Sequence, residues 1–202
     1  MSNDRYLTLS SESKGFYREK ASKFIANAFP IADEDGFAKR CAMIAKEHHT
    51  CRHVCYAWVL GESGDHHRAN DAGEPSGTAG RPILRQLQGV RLTYAAIVVV
   101  RYFGGTLLGI GGLVHAYAEA ARLALAEATI TERVVRDALI VECGYALVEA
   151  VKSDVVACEG VIVSSGYAER CMLHVAIARS ALSSFAERWR IAGAIVRNDQ
   201  PK

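Results

Sequence analysis

The sequence predicts an α+β protein built from two domains. Residues 137–200 follow the order β-α-β-β-α-β, the split βαβ arrangement of a ferredoxin-like domain. Upstream, an uninterrupted apolar run at 95–100 leads through a glycine-rich turn into a long alanine-rich helix, which is typical of a buried central strand and a closely packed helix. Because the pattern changes near 129–136, we place an N-terminal domain at 21–130 and a C-terminal domain at 137–200.

The N-terminal domain is predicted to open with a strand and a helix. Residues 1–20 are polar and mixed, which indicates a flexible leader. The spacing of apolar residues then predicts, in order, a strand at 22–26, a helix at 37–46, a strand at 54–60 and a polar turn at 61–70. The acidic triplet at 33–35 stands directly before the first helix, where carboxylates favour the helix dipole, so we interpret it as a capping cluster.

The second half of this domain is rich in glycine. A short helix is predicted at 83–88, with Thr78 in position to cap it. The apolar strand at 95–100 ends in the charged and aromatic residues 101–103. The segment GGTLLGIGG follows, and the alanine-rich helix is predicted at 113–128.

The C-terminal domain is predicted to contain four strands and two helices. The strands are expected at 139–145, 161–167, 171–178 and 194–197, and the helices at 147–158 and 182–190. The turn at 166–169 favours a hairpin between the two middle strands.

Composition excludes several classes of protein. The chain has 202 residues, half of them apolar, and a formal net charge of +2, so it lacks the strongly basic character of a bulk polyanion binder. No apolar run approaches the ~20 residues that span a bilayer. The first 20 residues have no hydrophobic signal core. We therefore expect a cytoplasmic protein with no membrane partner and, in that compartment, six reduced cysteines.

The glycine-rich turn after the central strand is the strongest candidate binding feature. Glycines let a backbone approach a ligand, a helix start offers free N–H groups, and Arg101 would add a forked cation, which together suit an anion or a phosphate. The nucleotide motifs fail, however. Ile110 and Gly111 stand where a P-loop needs Lys and Ser or Thr, and Val114 stands where a dinucleotide fingerprint needs Gly. A purely structural role for these glycines in a tight turn remains open.

The loop at 71–82 (DAGEPSGTAGRP) is the second candidate. Asp71 and Glu74 could bind a metal or transfer a proton, or they could accept hydrogen bonds from loop N–H groups and hold the turn. Ser76 does not sit in a nucleophile elbow, because Glu74 and Thr78 occupy the positions that need Gly. We favour a role in recognition or in ordering the loop.

Metal binding is weighed at a third cluster. Cys51, His53 and Cys55 would point to one side of a strand, but three ligands over this span are unlike common zinc sites, and no C-x-x-C pair is present. We assign no metal, no cofactor and no catalytic residue. His115 lies one helical turn from Glu119, which indicates surface pairing, although it could also extend the rim of the glycine turn.

Four motifs taken together resemble the YigZ/IMPACT family. They are SKFI at 22–25, H-x-C-x-A at 53–57, D-x-GEPSGTAGRP at 71–82 and RYFGG-x-x-LG-x-GGL-x-x-AY at 101–117. The tail from about 137 is similar to the small C-terminal domain of the bacterial members. Two positions depart from the family pattern: Ala72 replaces a frequent second Asp, and His115 replaces a usual Lys or Arg, so that charge becomes titratable.

The resemblance implies a fold and a broad function. It implies an N-terminal α+β domain with a left-handed βαβ crossover, similar to domain four of elongation factor G and to the GHMP kinases, and a ferredoxin-like tail similar to that factor's domain five. Eukaryotic relatives regulate translation by binding a partner of a starvation-sensing kinase. Fold likeness to a ribosome-binding factor is an analogy only.

We therefore expect a translation-associated binding protein rather than an enzyme. It would contact RNA, the ribosome or a translation-regulating protein through its glycine-rich loops. The alternative is an enzyme or sensor that binds a small phosphorylated or nucleotide ligand at 109–112. The expected binding residues are His53, Asp71, Glu74, Thr78, Arg81, Arg101, Tyr102, Gly104, Gly105, Gly111, Gly112 and His115.

Overall fold

A computed structural model describes residues 4–199, which divide into two units at Arg133–Val134. One unit spans Tyr6–Arg133, and the other consists of the residues from Val134 onward together with Asp4 and Arg5. No helix in the described part of the chain is long and apolar enough to cross a membrane.

The first unit is organised around a five-stranded antiparallel sheet. Its strands are β2 (Ser13–Glu19), β3 (Ser22–Pro30), β4 (His53–Leu60), β5 (His66–Asn70) and β6 (Ala95–Tyr102). They lie in the order β2-β3-β6-β4-β5. A separate pair is formed by β1 (Arg5–Leu9) and β7 (Ile130–Val134). Strand β6 is central, and its residues 95–100 are fully buried, which confirms the prediction from its apolar run.

Helices cover both faces of this sheet. Helix α1 (Glu34–Glu47) packs on one face, and α2 (Gly80–Gly89) and α3 (Gly109–Ala126) pack on the other. Asp33 caps α1 by accepting a hydrogen bond from the Gly36 N–H at 2.7 Å, as the acidic triplet predicted. The left-handed sense of a βαβ crossover in this domain stays a prediction.

The expectation of a flexible leader at 1–20 was wrong for its described residues. Residues 5–9 form β1 and residues 13–19 form β2. Strand β2 is polar in sequence because it is an edge strand that exposes alternate side chains. Its inner face needs Gly15, since a Cβ there would lie 2.3 Å from the Ala124 backbone nitrogen of α3.

The polar turn expected at 61–70 was wrong in its second half. Residues 66–70 form β5, which pairs antiparallel with β4 at the other edge of the sheet. Edge strands expose polar side chains, so a low content of apolar residues does not exclude a strand there.

The second unit has the predicted ferredoxin-like order. Its elements are β8 (Arg136–Cys143), α4 (Val148–Ala157), β9 (Val161–Tyr167), β10 (Cys171–Ala178), α5 (Leu182–Ile191) and β11 (Ile195–Asn198). The sheet order is β11-β8-β10-β9, with every neighbouring pair antiparallel. Its core includes Phe185 and Trp189 of α5 against the buried side chains of β8 and β10.

Candidate functional site

A cavity of about 350 Å³ lies beside the first turn of α3 in the first unit. Antiparallel pairing sets His53 of β4 directly opposite Arg101 of β6, so both side chains lie on the same face of the sheet. The loop before α2 adds Glu74 and Pro75. The remaining lining residues are Arg52, Phe103, Leu107, Leu108, Gly109, Ile110 and Leu113.

A buried ion pair contributes to the cavity lining. The Arg101 Nη1–H group donates to Glu74 Oε1 at 2.7 Å, and the side chains are only 6% and 3% exposed. The Tyr117 hydroxyl donates to the same oxygen at 2.7 Å. We had expected Arg101 to offer a free forked cation, but a buried guanidinium requires a counter-charge, and Glu74 supplies it. The ion pair carries no net charge.

Aromatic rings hold the Arg101 guanidinium in place. Its central carbon lies 5.6 Å from the ring centroid of Phe24 and 5.5 Å from that of Phe103. Its Nε atom is buried and has no hydrogen-bond partner in the described part of the chain.

Two neutral groups extend the network behind the ion pair. The Cys55 sulfur lies 3.0 Å from the carbonyl oxygen of Asp71 and 3.3 Å from the Tyr117 hydroxyl. Burial raises the pKa of Cys55 to about 12 and also raises the pKa of Tyr117. The thiol and the phenol therefore stay protonated, which makes Tyr117 a fixed donor to Glu74 and Cys55 an unreactive thiol.

Asp71 orders the loop and caps α2. Its carboxylate accepts three backbone N–H bonds, from Gly77 at 2.8 Å, Ala79 at 3.0 Å and Gly80 at 2.8 Å. Burial alone would raise the pKa of Asp71, but these hydrogen bonds outweigh it and lower the pKa below its ordinary value. Thr78, which we expected to cap α2, instead donates its hydroxyl to the Pro75 carbonyl oxygen at 2.6 Å.

The start of α3 is open and apolar. The N-cap residue of this 18-residue helix, Leu108, makes no side-chain capping hydrogen bond, and the first turn contains no acidic residue. Three apolar side chains stand out beside it: Phe103 is 44% exposed, Leu107 82% and Ile110 70%. We call these three residues the apolar rim of the cavity. Uncapped N–H groups at a helix start attract negative charge.

The glycines of the turn have different roles. A Cβ on Gly104 would lie 2.1 Å from the Ala21 carbonyl carbon, so this glycine serves close backbone packing. Gly105 adopts a φ of +84°, which glycine accommodates without strain. Gly111 has open space around it, while a Cβ on Gly112 would lie 3.0 Å from the Leu108 Cβ. None of these four lines the cavity.

Three predicted residues lie away from the cavity. Strand alternation turns Tyr102 to the opposite face, where its hydroxyl lies 2.9 Å from His48 Nδ1. His115 is exposed and packs edge-on against Tyr17, with ring centroids 5.7 Å apart. Arg81 is exposed at the start of α2. Of the twelve predicted residues, His53, Glu74 and Arg101 line the cavity, and the other nine do not.

Sequence reasoning missed two parts of the site. Tyr117 is not among the expected binding residues, yet its buried hydroxyl belongs to the ion-pair network. The apolar rim was passed over as part of a glycine-rich turn. The signal was present in Leu107 and Ile110, two apolar residues in a segment that packing did not require to be apolar.

Metal ligation finds no support in the side-chain geometry. Among residues 4–199, no group of three or more His, Cys, Asp and Glu side chains is placed to hold an ion. Cys55 is committed to the network behind Glu74, and the His53 Nδ1 atom lies 2.9 Å from the Ala72 carbonyl oxygen.

Comparison with known proteins identifies relatives across nearly the whole chain. Residues 20–125 match the profile of the Impact N-terminal domain. The IMPACT family member YigZ of Escherichia coli (strain K12) is 35% identical over 174 residues, which covers 84% of each chain. The IMPACT family member YvyE of Bacillus subtilis (strain 168) is 31% identical over 166 residues, covering 82% of this chain and 76% of that one. A crystal structure described as that of a hypothetical protein matches with a TM-score of 0.72 and 28% identity, covering 98% of this chain and 99% of the other.

Proposed function

The chain belongs to the IMPACT family, and from that premise we propose that it is a cytoplasmic, translation-associated binding protein. Its partner would be RNA, the ribosome or a protein that regulates translation. The contact surface would be the cavity beside α3 together with its apolar rim. No step of catalysis is assigned to it.

One observation carries the proposal: three exposed apolar side chains border a cavity that a buried ion pair lines. Exposed apolar residues that occur singly are ordinary, but a cluster at a cavity marks a binding surface. Phe103, Leu107 and Ile110 would be desolvated by the partner. Because Glu74 neutralises Arg101, few phosphate contacts are expected, and binding should depend only weakly on salt.

The test is co-sedimentation of the purified chain with ribosomes across a salt series. The variant is Leu107→Glu, which puts a charge on the rim without touching the core, because Leu107 is 82% exposed. Met43→Glu is the matched control. Met43 is 56% exposed on α1, which packs on the opposite face of the same sheet.

We expect the wild type and the control to be retained near physiological salt and the Leu107→Glu variant to be lost. Equal retention of all three proteins would remove the rim from the contact surface. A wild type that stays in the supernatant at every salt concentration would overturn ribosome binding.

A second candidate function is supported by the open start of α3. This helix offers uncapped N–H groups beside a cavity large enough for a small molecule. Under this proposal the chain would sense or process a small phosphorylated ligand. A thermal shift with a nucleotide panel tests it, since a ligand at 100 times its Kd stabilises the folded state by roughly 2.7 kcal/mol.

A further inference from the structure

We propose that the cavity beside α3 recognises a guanine base that carries a 5′-phosphate, supplied either by a free nucleotide or by single-stranded RNA. The inference rests on the proposed binding role of this cavity and names the chemical group that enters it. Three properties of the lining support it: hydrogen-bond acceptors without partners, apolar walls, and the positive N-terminal end of α3 beside the mouth of the cavity.

Two residues of the cavity lining have hydrogen-bond acceptors that are not saturated. Glu74 receives both of its hydrogen bonds on Oε1, and Oε2 has no partner within residues 4–199. His53 Nδ1 lies 2.9 Å from the carbonyl oxygen of Ala72, and because a carbonyl only accepts, Nδ1 carries the proton. In the neutral ring Nε2 is then an acceptor, and it too has no partner in the described range.

Two acceptors require a ligand with neighbouring N–H donors. A purely apolar side chain from a protein partner would cover Glu74 and His53 without giving them a donor, which is unfavourable for buried polar groups. A cationic ligand is disfavoured because Arg52 and the start of α3 are positive, while the charges of Arg101 and Glu74 cancel. A neutral group with several N–H donors therefore fits best.

Among the nucleobases, guanine meets this requirement most fully. Its Watson–Crick edge places the N1–H group beside the 2-amino group, whereas uracil has one such donor and adenine and cytosine have only an amino group. Phe103 provides a flat aromatic face for the base, and the leucines of the lining add apolar contacts. The cavity volume of about 350 Å³ accommodates one base.

A phosphate on the same nucleotide has a place at the mouth. Gly109 and Ile110 form the first turn of α3 and line the cavity, and Arg52 is an exposed cation in the same lining. Helix starts bind phosphate through free N–H groups and the helix dipole. Glu74 and this helix start thus bind opposite ends of the same ligand.

The experiment measures binding of five probes by calorimetry and fluorescence anisotropy. Guanosine 5′-monophosphate is compared with inosine 5′-monophosphate, which lacks the 2-amino group, and with guanosine, which lacks the phosphate. The RNA probe is the pentamer UUGUU, compared with UUUUU. Loss of one hydrogen bond to a charged acceptor should weaken binding by about tenfold.

Two variants test the ends of the ligand separately. Ile110→Glu adds a negative charge at the start of α3, which favours the helix itself but repels a phosphate, so folding is retained while binding falls by about tenfold or more. Glu74→Gln replaces the free acceptor with an amide that can present a donor, so the preference for guanosine over inosine monophosphate should disappear. Met43→Glu is the control and should bind as the wild type does.

Preference for the guanine probe, lost in Ile110→Glu, supports the proposal, and binding of UUGUU alone supports it with RNA as the source. Measurable binding of the guanosine and inosine nucleotides with equal affinity, unchanged affinity in Ile110→Glu, or no binding of either guanine probe at millimolar concentration overturns it. Ribosome retention that depends on Leu107 while all guanine probes fail would overturn this inference and leave the proposed function standing. Guanine binding without ribosome retention would support this inference and overturn only the ribosome as the partner in the proposed function.

Discussion

Separating the buried ion pair tests the central feature of the site. In Glu74→Leu, Arg101 keeps its charge but loses its counter-ion in a place where its side chain is only 6% exposed. At the observed 2.7 Å, and with an effective dielectric constant of about 20, the attraction that is lost amounts to ~6 kcal/mol. Desolvation offsets part of this attraction, and the measured cost of orphaning one buried partner is about 3–5 kcal/mol. We expect the free energy of unfolding to fall by that amount.

The double variant Glu74→Leu/Arg101→Met removes both charges and should recover much of the loss, because an apolar pair of similar volume is often neutral or stabilising. Urea unfolding followed by Trp58 fluorescence measures all of the variants, in a Trp189→Phe background that silences the tryptophan of the other unit. If the costs of the single variants Glu74→Leu and Arg101→Met add up to the cost of the double variant within about 0.5 kcal/mol, a direct coupling between these side chains is refuted. If Glu74→Leu lowers the free energy of unfolding by less than about 1 kcal/mol, Glu74 does not act as a buried counter-ion to Arg101.

Two further predictions concern the loops around the site. Gly104→Ala should destabilise the fold by several kcal/mol, on the order of an overpacked core position, because its Cβ would meet backbone. Gly111→Ala should instead stabilise α3 by about 0.5–1 kcal/mol, because the added Cβ meets open space. Thermal unfolding of both variants measures the two changes in stability. Asp71 has a folded pKa below its unfolded value, so the stability that it contributes is present at neutral pH and is lost as the pH falls below about 5. The wild type should therefore lose more stability than Asp71→Asn between pH 5 and pH 3 in urea titrations, and parallel curves would contradict this.

Sequence patterns predicted seven strands of the two larger sheets, from the buried β6 to the exposed β9. The burial of β10 alternates almost regularly, and its bounds at 171–178 agree with the prediction. Strands β2 and β5 escaped prediction because their sequences contain few apolar residues; β9 is also an exposed edge strand, but its apolar start at 161–163 gave a signal. Their place in the sheet comes from pairing with β3 and β4, which is information held in distant residues.

The candidate site was predictable in its members but not in its connections. His53, Glu74 and Arg101 were chosen for their chemistry, and all three line one cavity. That Glu74 would neutralise Arg101 could not be read from residues 27 positions apart, because the contact depends on how the loop before α2 folds over the sheet. The opposite orientation of Tyr102 was available from strand alternation, since adjacent residues of β6 face opposite sides.

The features that folding does not require coincide at one place. A buried ion pair is weak support for stability, because apolar residues of similar volume usually serve as well. An exposed Leu107 and an exposed Ile110 add nothing to the core, and a long helix without a cap forgoes about 1 kcal/mol that a Ser or Asp before Gly109 would supply. Elsewhere in this unit the unusual residues have a structural reason: Gly15 and Gly104 allow close packing, and Asp71 caps a helix. Selection for stability accounts for those positions and leaves the cavity beside α3 unexplained, so we ascribe its construction to the binding of a partner.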